Sequence, residues 1–230
     1  NGDFKKIEKN IKSDNFDGHK AVKFIIKEAL KYNSKQKLII LAVGKLTNVA
    51  LAVKKDPLII PNIRIVWLGS NYPESGEYNL DNDIISMNYL LETKVEFEIV
   101  TVRYGKLSGT DFVKVTKDEV EDKIPSLGIK IEKGVLGRHG GKFYSFGEYA
   151  ESLFENISYY GNPPSRSLFD VAAVAILKNP FWAKSKIIPS PIMIDGEWIE
   201  QEDNTRKIKI WEHFEKESIL SDFYNSLNVH

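Results

Sequence analysis

The chain has 230 residues, 42% hydrophobic and 11% aromatic, which is enough for a sizeable core. Its 32 basic and 32 acidic residues cancel, so no charge excess argues for a nucleic-acid polymer or an acidic membrane surface as partner. Cysteine is absent, which excludes disulfides, thiolate metal sites and a cysteine nucleophile within it, and no apolar run approaches the ~18 residues of a membrane helix.

Residues 1–19 are polar around a few apolar positions and are expected to form a loop or arm. From His19 to Tyr32 the apolar residues Val22, Ile25, Ile26, Ala29 and Leu30 fall on one helix face. Lys37 to Val43 is a continuous apolar run, read as a strand buried on both sides. Gly44–Lys55 turns helical and stops at Asp56-Pro57. A strand over 63–68, a helix over 82–92 and a strand over 95–102 follow. The alternation predicts parallel strands joined by right-handed helical crossovers.

Thr116-Lys117-Asp118-Glu119 has capping-box spacing and predicts a short helix ending before Pro125. Helices are expected over 146–159 and 165–178, the second capped by Ser165. Asp195-Gly196 predicts the tight turn of a β-hairpin over 192–199. A strand over 207–211 and an amphipathic helix over 215–227 close the chain. The expected fold is therefore α/β, a mostly parallel open sheet flanked by helices, with a small C-terminal β-hairpin, in one domain over 1–230. The chain starts on Asn1 and enters the alternation on a helix, where a doubly wound sheet normally starts on a strand, so one or more βα units are expected upstream.

Three segments could carry chemistry. Gly76-Glu77-Tyr78-Asn79-Leu80-Asp81-Asn82-Asp83 places carboxylates and amides beyond the carboxyl end of the 63–68 strand, where open α/β sheets bind ligands. Val43-Gly44-Lys45-Leu46-Thr47-Asn48 runs from a strand end directly into a helix, and taken alone such a junction is usually a plain connection. Phe169-Asp170 opens an apolar helix, where a carboxylate is commonly placed for the helix dipole alone.

In this order and spacing the three segments resemble the inosine-uridine-preferring nucleoside hydrolase family. Gly-x-Leu-Thr-Asn at 44–48 is similar to that family's Gly-Pro-Leu-Thr-Asn turn, Glu77-Tyr78-Asn79 with Asp83 to its Glu-Phe-Asn-x-x-x-Asp signature, and Phe169-Asp170 to its His-Asp pair. The resemblance covers about residues 21–177. It implies hydrolysis of the N-glycosidic bond of ribonucleosides to ribose and free base, assisted by Ca²⁺. Asp170 and the backbone carbonyl of Val43 would then be metal ligands. Glu77, Asn79 and Asn71 would contact the ribose, and Phe169 would stack on the base. Asp83 is read as a loop-orienting or helix-capping residue. Family members often assemble as dimers or tetramers, so a homo-oligomer acting on a small-molecule nucleoside is implied.

The chain departs from the family pattern in three places. The family opens with Asp-x-Asp-x-x-x-Asp-Asp, which supplies most Ca²⁺ ligands and the carboxylate that deprotonates water. Asp3, Asp14 and Asp17 do not have that spacing, so the parent protein is expected to be a hydrolase and this chain to be incomplete and inactive alone. Phe169 replaces a histidine that protonates the leaving base in members that have it, which makes His139, in Arg138-His139-Gly140-Gly141, the candidate substitute acid. The connection 69–76 is shorter than in many relatives, so base preference does not transfer, and Asn71 there also suits a plain turn.

Two other readings stay open: a catalytically silent ribose- or nucleoside-binding protein, and a metal-independent glycosidase using Glu77 and Asp170 as its carboxylate pair. Arg103 and Arg166 are candidate partners for the site carboxylates. Trp67, Trp182, Trp198 and Trp211 are assigned to core or subunit contacts. The composition reads as a soluble chain and points to no compartment.

Overall fold

A computed structural model of the chain describes residues 4–13 and 19–228. In chain order the elements are α1 (Phe4–Lys12), α2 (Lys20–Ala29), β1 (Leu38–Ala42), α3 (Thr47–Lys55), β2 (Ile63–Ser70), α4 (Tyr78–Asp81), α5 (Ile84–Glu92) and β3 (Glu96–Thr101). Then come β4 (Lys114–Thr116), α6 (Lys117–Lys123), β5 (Lys130–Leu136), β6 (Lys142–Ser145), α7 (Phe146–Glu155), β7 (Ser165–Ser167) and α8 (Phe169–Lys178). The chain ends through β8 (Lys184–Pro189), β9 (Ile192–Ile194), β10 (Glu197–Ile199), β11 (Lys207–Glu212) and α9 (Lys216–Leu227). The chain divides into two compact units, one of Asn1–Gly109 with Ala183–His213 and one of Thr110–Trp182 with Phe214–His230.

The first unit holds a five-stranded sheet in the order β1-β2-β3-β11-β8. The first four strands are mutually parallel, and β8 runs antiparallel to β11 at one edge. A mostly parallel sheet with an antiparallel edge strand is common in large α/β sheets. Strand alternation sorts the side chains by face. Ile63, Ile65 and Trp67 of β2, Phe97 and Ile99 of β3, and Ile208 and Ile210 of β11 join one core. Val22 and Ala29 of α2, Val49–Val53 of α3, and Met87, Leu90 and Leu91 of α5 pack into that same core.

The alternate positions carry a charged row. Arg64 grips Glu98 through two hydrogen bonds of 2.7 and 3.0 Å, and Lys209 adds a third at 3.1 Å. Trp211 Nε1 donates a fourth to the same carboxylate, which is fully buried. Burial alone would raise the Glu98 pKa, but the donors from Arg64, Trp211 and Lys209 outweigh it and hold the carboxylate below its ordinary value.

The second unit contains the antiparallel pairs β4–β7 and β5–β6, with α6, α7, α8 and α9. The Thr116–Glu119 capping box forms as expected, Thr116 Oγ1 accepting from Glu119 N while the Glu119 side chain accepts from Thr116 N.

Several expectations are corrected. The region expected to be a loop or arm over 1–19 contains the helix α1, and Asp3, Asp14 and Asp17 lie outside the described residues. Lysines at 5, 6, 9 and 12 dilute its apolar signal, yet Ile11 joins the core of the first unit. β1 is an edge strand with Ile39 45% exposed, not one buried on both sides, because an apolar run does not reveal how many neighbours a strand has. Ser165 does not cap a helix: it belongs to β7, where its hydroxyl donates to Pro163 O at 2.8 Å. β8 escapes the periodicity because its lysine-rich, exposed pattern is that of a protected edge.

Candidate functional site

The carboxyl ends of β1, β2 and β3 carry the loops at 43–46, 71–77 and 102–109, all within the first unit. Trp67 organises the first of them. Its indole is buried and its Nε1 donates to Gly44 O at 2.9 Å, fixing the turn that follows Val43. The same indole dictates Gly69: a Cβ there would lie 2.2 Å from the Trp67 ring. Gly69 is therefore required by a close approach, and the strand register shifts between Leu68 and Ser70. Trp67 is the core residue expected from the sequence, and it also builds the rim. Its role in the rim was missed because the aromatic gives no sequence signal for which carbonyl its N–H reaches.

Glu77 is 4% exposed and caps α4, one carboxylate oxygen accepting from Asn79 N at 2.8 Å and Leu80 N at 3.0 Å. Asn79, half-buried, folds back onto the end of β2 and donates from Nδ2 to Leu68 O at 3.3 Å. Asp83, also 4% exposed, caps α5 through Ser86 N at 3.3 Å and accepts the hydroxyl of Thr47. That last hydrogen bond joins the first two sequence segments directly. Burial raises the Asp83 pKa, opposed by hydrogen bonds from Thr47 and Ser86. The loop-orienting and capping role read for Asp83 matches these contacts.

Asn71 is 5% exposed and has both amide atoms engaged, Nδ2 donating to Ser75 O at 2.8 Å and Oδ1 accepting from Tyr104 N at 3.0 Å. It holds its own turn and ties it to the loop after β3. Val43 directly follows β1 with its side chain 42% exposed.

Phe169 and Asp170 lie in the second unit, in the first turn of α8, where desolvation raises the Asp170 pKa. His139 is exposed in the β5–β6 connection of that unit, in a turn closed by Gly137 N to Gly141 O at 3.1 Å. Arg166, also there, donates to Ser158 O at 3.4 Å. Arg103, in the first unit, pairs with Glu212 at 2.7 Å and not with Glu77 or Asp83. Among the described residues no three His, Cys, Asp or Glu side chains gather as they would around a metal ion. None of their helices is long and apolar enough to cross a membrane.

A family model described as inosine-uridine preferring nucleoside hydrolase matches residues 3–219. A probable ribonucleoside hydrolase of Dictyostelium discoideum is 30% identical over 162 residues, a match spanning 67% of this chain and 44% of that protein. The matched part of the chain thus spans less than half the length of that curated relative. Among solved structures, a plant nucleoside hydrolase superposes with a TM-score of 0.69 at 17% identity, over 91% of this chain and 67% of that one. The inosine-uridine preferring nucleoside hydrolase of Bacillus anthracis does so with a TM-score of 0.64 at 19% identity, over 91% and 65%. At such identities these structures speak to the fold alone, and that fold is the mostly parallel α/β sheet described above.

Proposed function

The chain belongs to the inosine-uridine preferring nucleoside hydrolase family, and on that premise we propose that it serves the hydrolysis of the N-glycosidic bond of ribonucleosides, releasing ribose and free base. The observation that carries this reading is the hydrogen bond from Thr47 to Asp83. It couples the turn after β1 to the loop that bears Glu77 and Asn79, so two of the three sequence segments form one connected rim.

Within this reading Asn79 and Glu77 meet the ribose hydroxyls. Glu77 caps α4 at the end of the same loop, which holds its carboxyl group at the rim. As a carboxylate, Glu77 would favour the oxocarbenium-like sugar that forms as the bond to the base breaks. Asn71, with both amide atoms engaged, acts as the staple of the loop.

Ca²⁺ is the ion the resemblance implies. It takes 6–8 oxygen ligands, and the described residues bring no three candidate side chains together. They do not by themselves fit the ion.

The test is reducing-sugar release from inosine and uridine by the full chain, with and without Ca²⁺, alongside saturation-transfer NMR of inosine. Turnover that falls at least 100-fold in Glu77→Gln and Asn79→Ala, with the circular dichroism unchanged, supports the proposal. Turnover insensitive to EDTA would favour the metal-independent glycosidase. Ribose contact without turnover is common to an incomplete hydrolase and a silent binding protein and does not decide between them. Neither contact nor turnover overturns the reading.

A further inference from the structure

The loop between β2 and α4 has few apolar anchors of its own. Pro73, Glu74, Ser75 and Gly76 are all exposed. Beside the Asn71 staple, one guanidinium ties it to the neighbouring elements. Arg103 Nε donates to Tyr72 O at 3.0 Å, Nη1 to Ser108 Oγ at 3.1 Å, and Nη2 pairs with Glu212 at 2.7 Å. Glu212, at the end of β11, also receives Lys186 of β8 at 3.1 Å. Two loops at the carboxyl rim, following β2 and β3, and the last residue of β11 are thus joined through a single side chain that is 11% exposed. The planar fork of arginine, with five donors in fixed geometry, suits this; the single ammonium of a lysine does not reproduce it.

The backbone at Arg103 is also costly. Its φ of 49° lies in the left-handed region, where a long side chain is rare and glycine is at ease. A residue needed only for the turn would be expected to be glycine or asparagine. An arginine held there points to its side chain as the reason.

We propose that Arg103 is a positioning residue: it clamps the 71–77 loop so that Glu77 and Asn79 are presented at the rim in one fixed arrangement. What the loop presents them to rests on the ribose-binding reading above, whereas the clamp itself does not. Tyr72, the residue clamped, is held at its other end by its hydroxyl donating to Glu200 at 2.5 Å and by an edge-on contact with Trp198. Arg103 therefore sets the backbone while Tyr72 sets the side chain.

Arg103→Gly separates the two explanations, because it relieves the left-handed backbone and removes the fork. Hydrogen exchange on the full chain is read at Glu74 N, bonded to Asn71 O, and at Tyr104 N, bonded to Asn71 Oδ1. The expected result is exchange at least 10-fold faster at both, with the amides of β2 and β3 unchanged. Arg103→Lys should recover the charge on Glu212 but leave Glu74 at least 5-fold faster than in the unaltered chain. In nucleoside hydrolysis KM should rise at least 10-fold in Arg103→Gly, with a smaller change in kcat. Loop exchange within 2-fold of the unaltered chain overturns the proposal whatever the turnover. A chain with no turnover but with the expected loop exchange upholds the clamp and removes only the functional reading.

Discussion

Asp83 offers the sharpest check on how the rim is built. Its carboxylate is nearly buried, caps α5 and accepts the Thr47 hydroxyl, and Lys45 acts on it electrostatically without outweighing burial. Burial raises its pKa, so ionisation is disfavoured by the fold. The group's contribution to stability is then fullest below the unfolded carboxylate pKa and is lost as pH rises through the folded one. Asparagine keeps the Ser86 cap through its single oxygen, can donate from Nδ2 to the Thr47 hydroxyl, which accepts as well as donates, and carries no charge. Asp83→Asn should therefore lie within about 0.5 kcal/mol of the unaltered protein at pH 7, with its acid-side pH dependence flattened. Asp83→Ala removes a cap worth about 1 kcal/mol and a hydrogen bond worth about 1 kcal/mol, a loss of about 2 kcal/mol. At a urea dependence of about 2 kcal/mol/M the midpoint falls by about 1 M for alanine and by less than about 0.3 M for asparagine. Urea unfolding followed by circular dichroism reads both. Equal damage from the two substitutions would show that the charge itself is required and would refute the reasoning.

Glu98→Ala should cost about 3 kcal/mol by leaving Arg64 and Lys209 beside a buried gap, read as a lower urea midpoint. Glu98 and Glu212 both have depressed pKa values, so the stability they confer is present above the ordinary carboxylate pKa and is lost as pH falls through the depressed ones. An acid titration of the Glu98→Ala chain should accordingly show a shallower loss below about pH 4. Asp195 and Gly196 both have positive φ in the β9–β10 turn, and nothing lies within 4 Å of a Cβ built on Gly196. Gly196→Ala should cost about 1 kcal/mol from backbone strain alone, measured by thermal unfolding. Calorimetric titration of this chain with Ca²⁺ should show no micromolar binding, and such binding would show that it gathers oxygen ligands beyond those described. His139→Gln tests the leaving-group acid: that role requires a fall of about 100-fold in purine nucleoside turnover, and unchanged turnover removes it.

Local chemistry made much of the fold legible along the chain. The 3.6-residue spacing at Val22, Ile25, Ile26 and Ala29, the capping box at Thr116 and the Asp195-Gly196 turn each involve neighbours a few residues apart, so the residues themselves specify the geometry. The two rim motifs were visible for the same reason, as short runs of uncommon residue types beyond strand ends. Partners distant in sequence were not. That β1 is an edge, that Trp67 reaches Gly44, that Thr47 meets Asp83 across 36 positions and that Arg103 binds Glu212 all depend on which strands lie side by side. Hydrophobic pattern assigns a residue to a face but not to a neighbour. A hydrogen bond, which is directional and effective only near 3 Å, is decided once the sheet order is set.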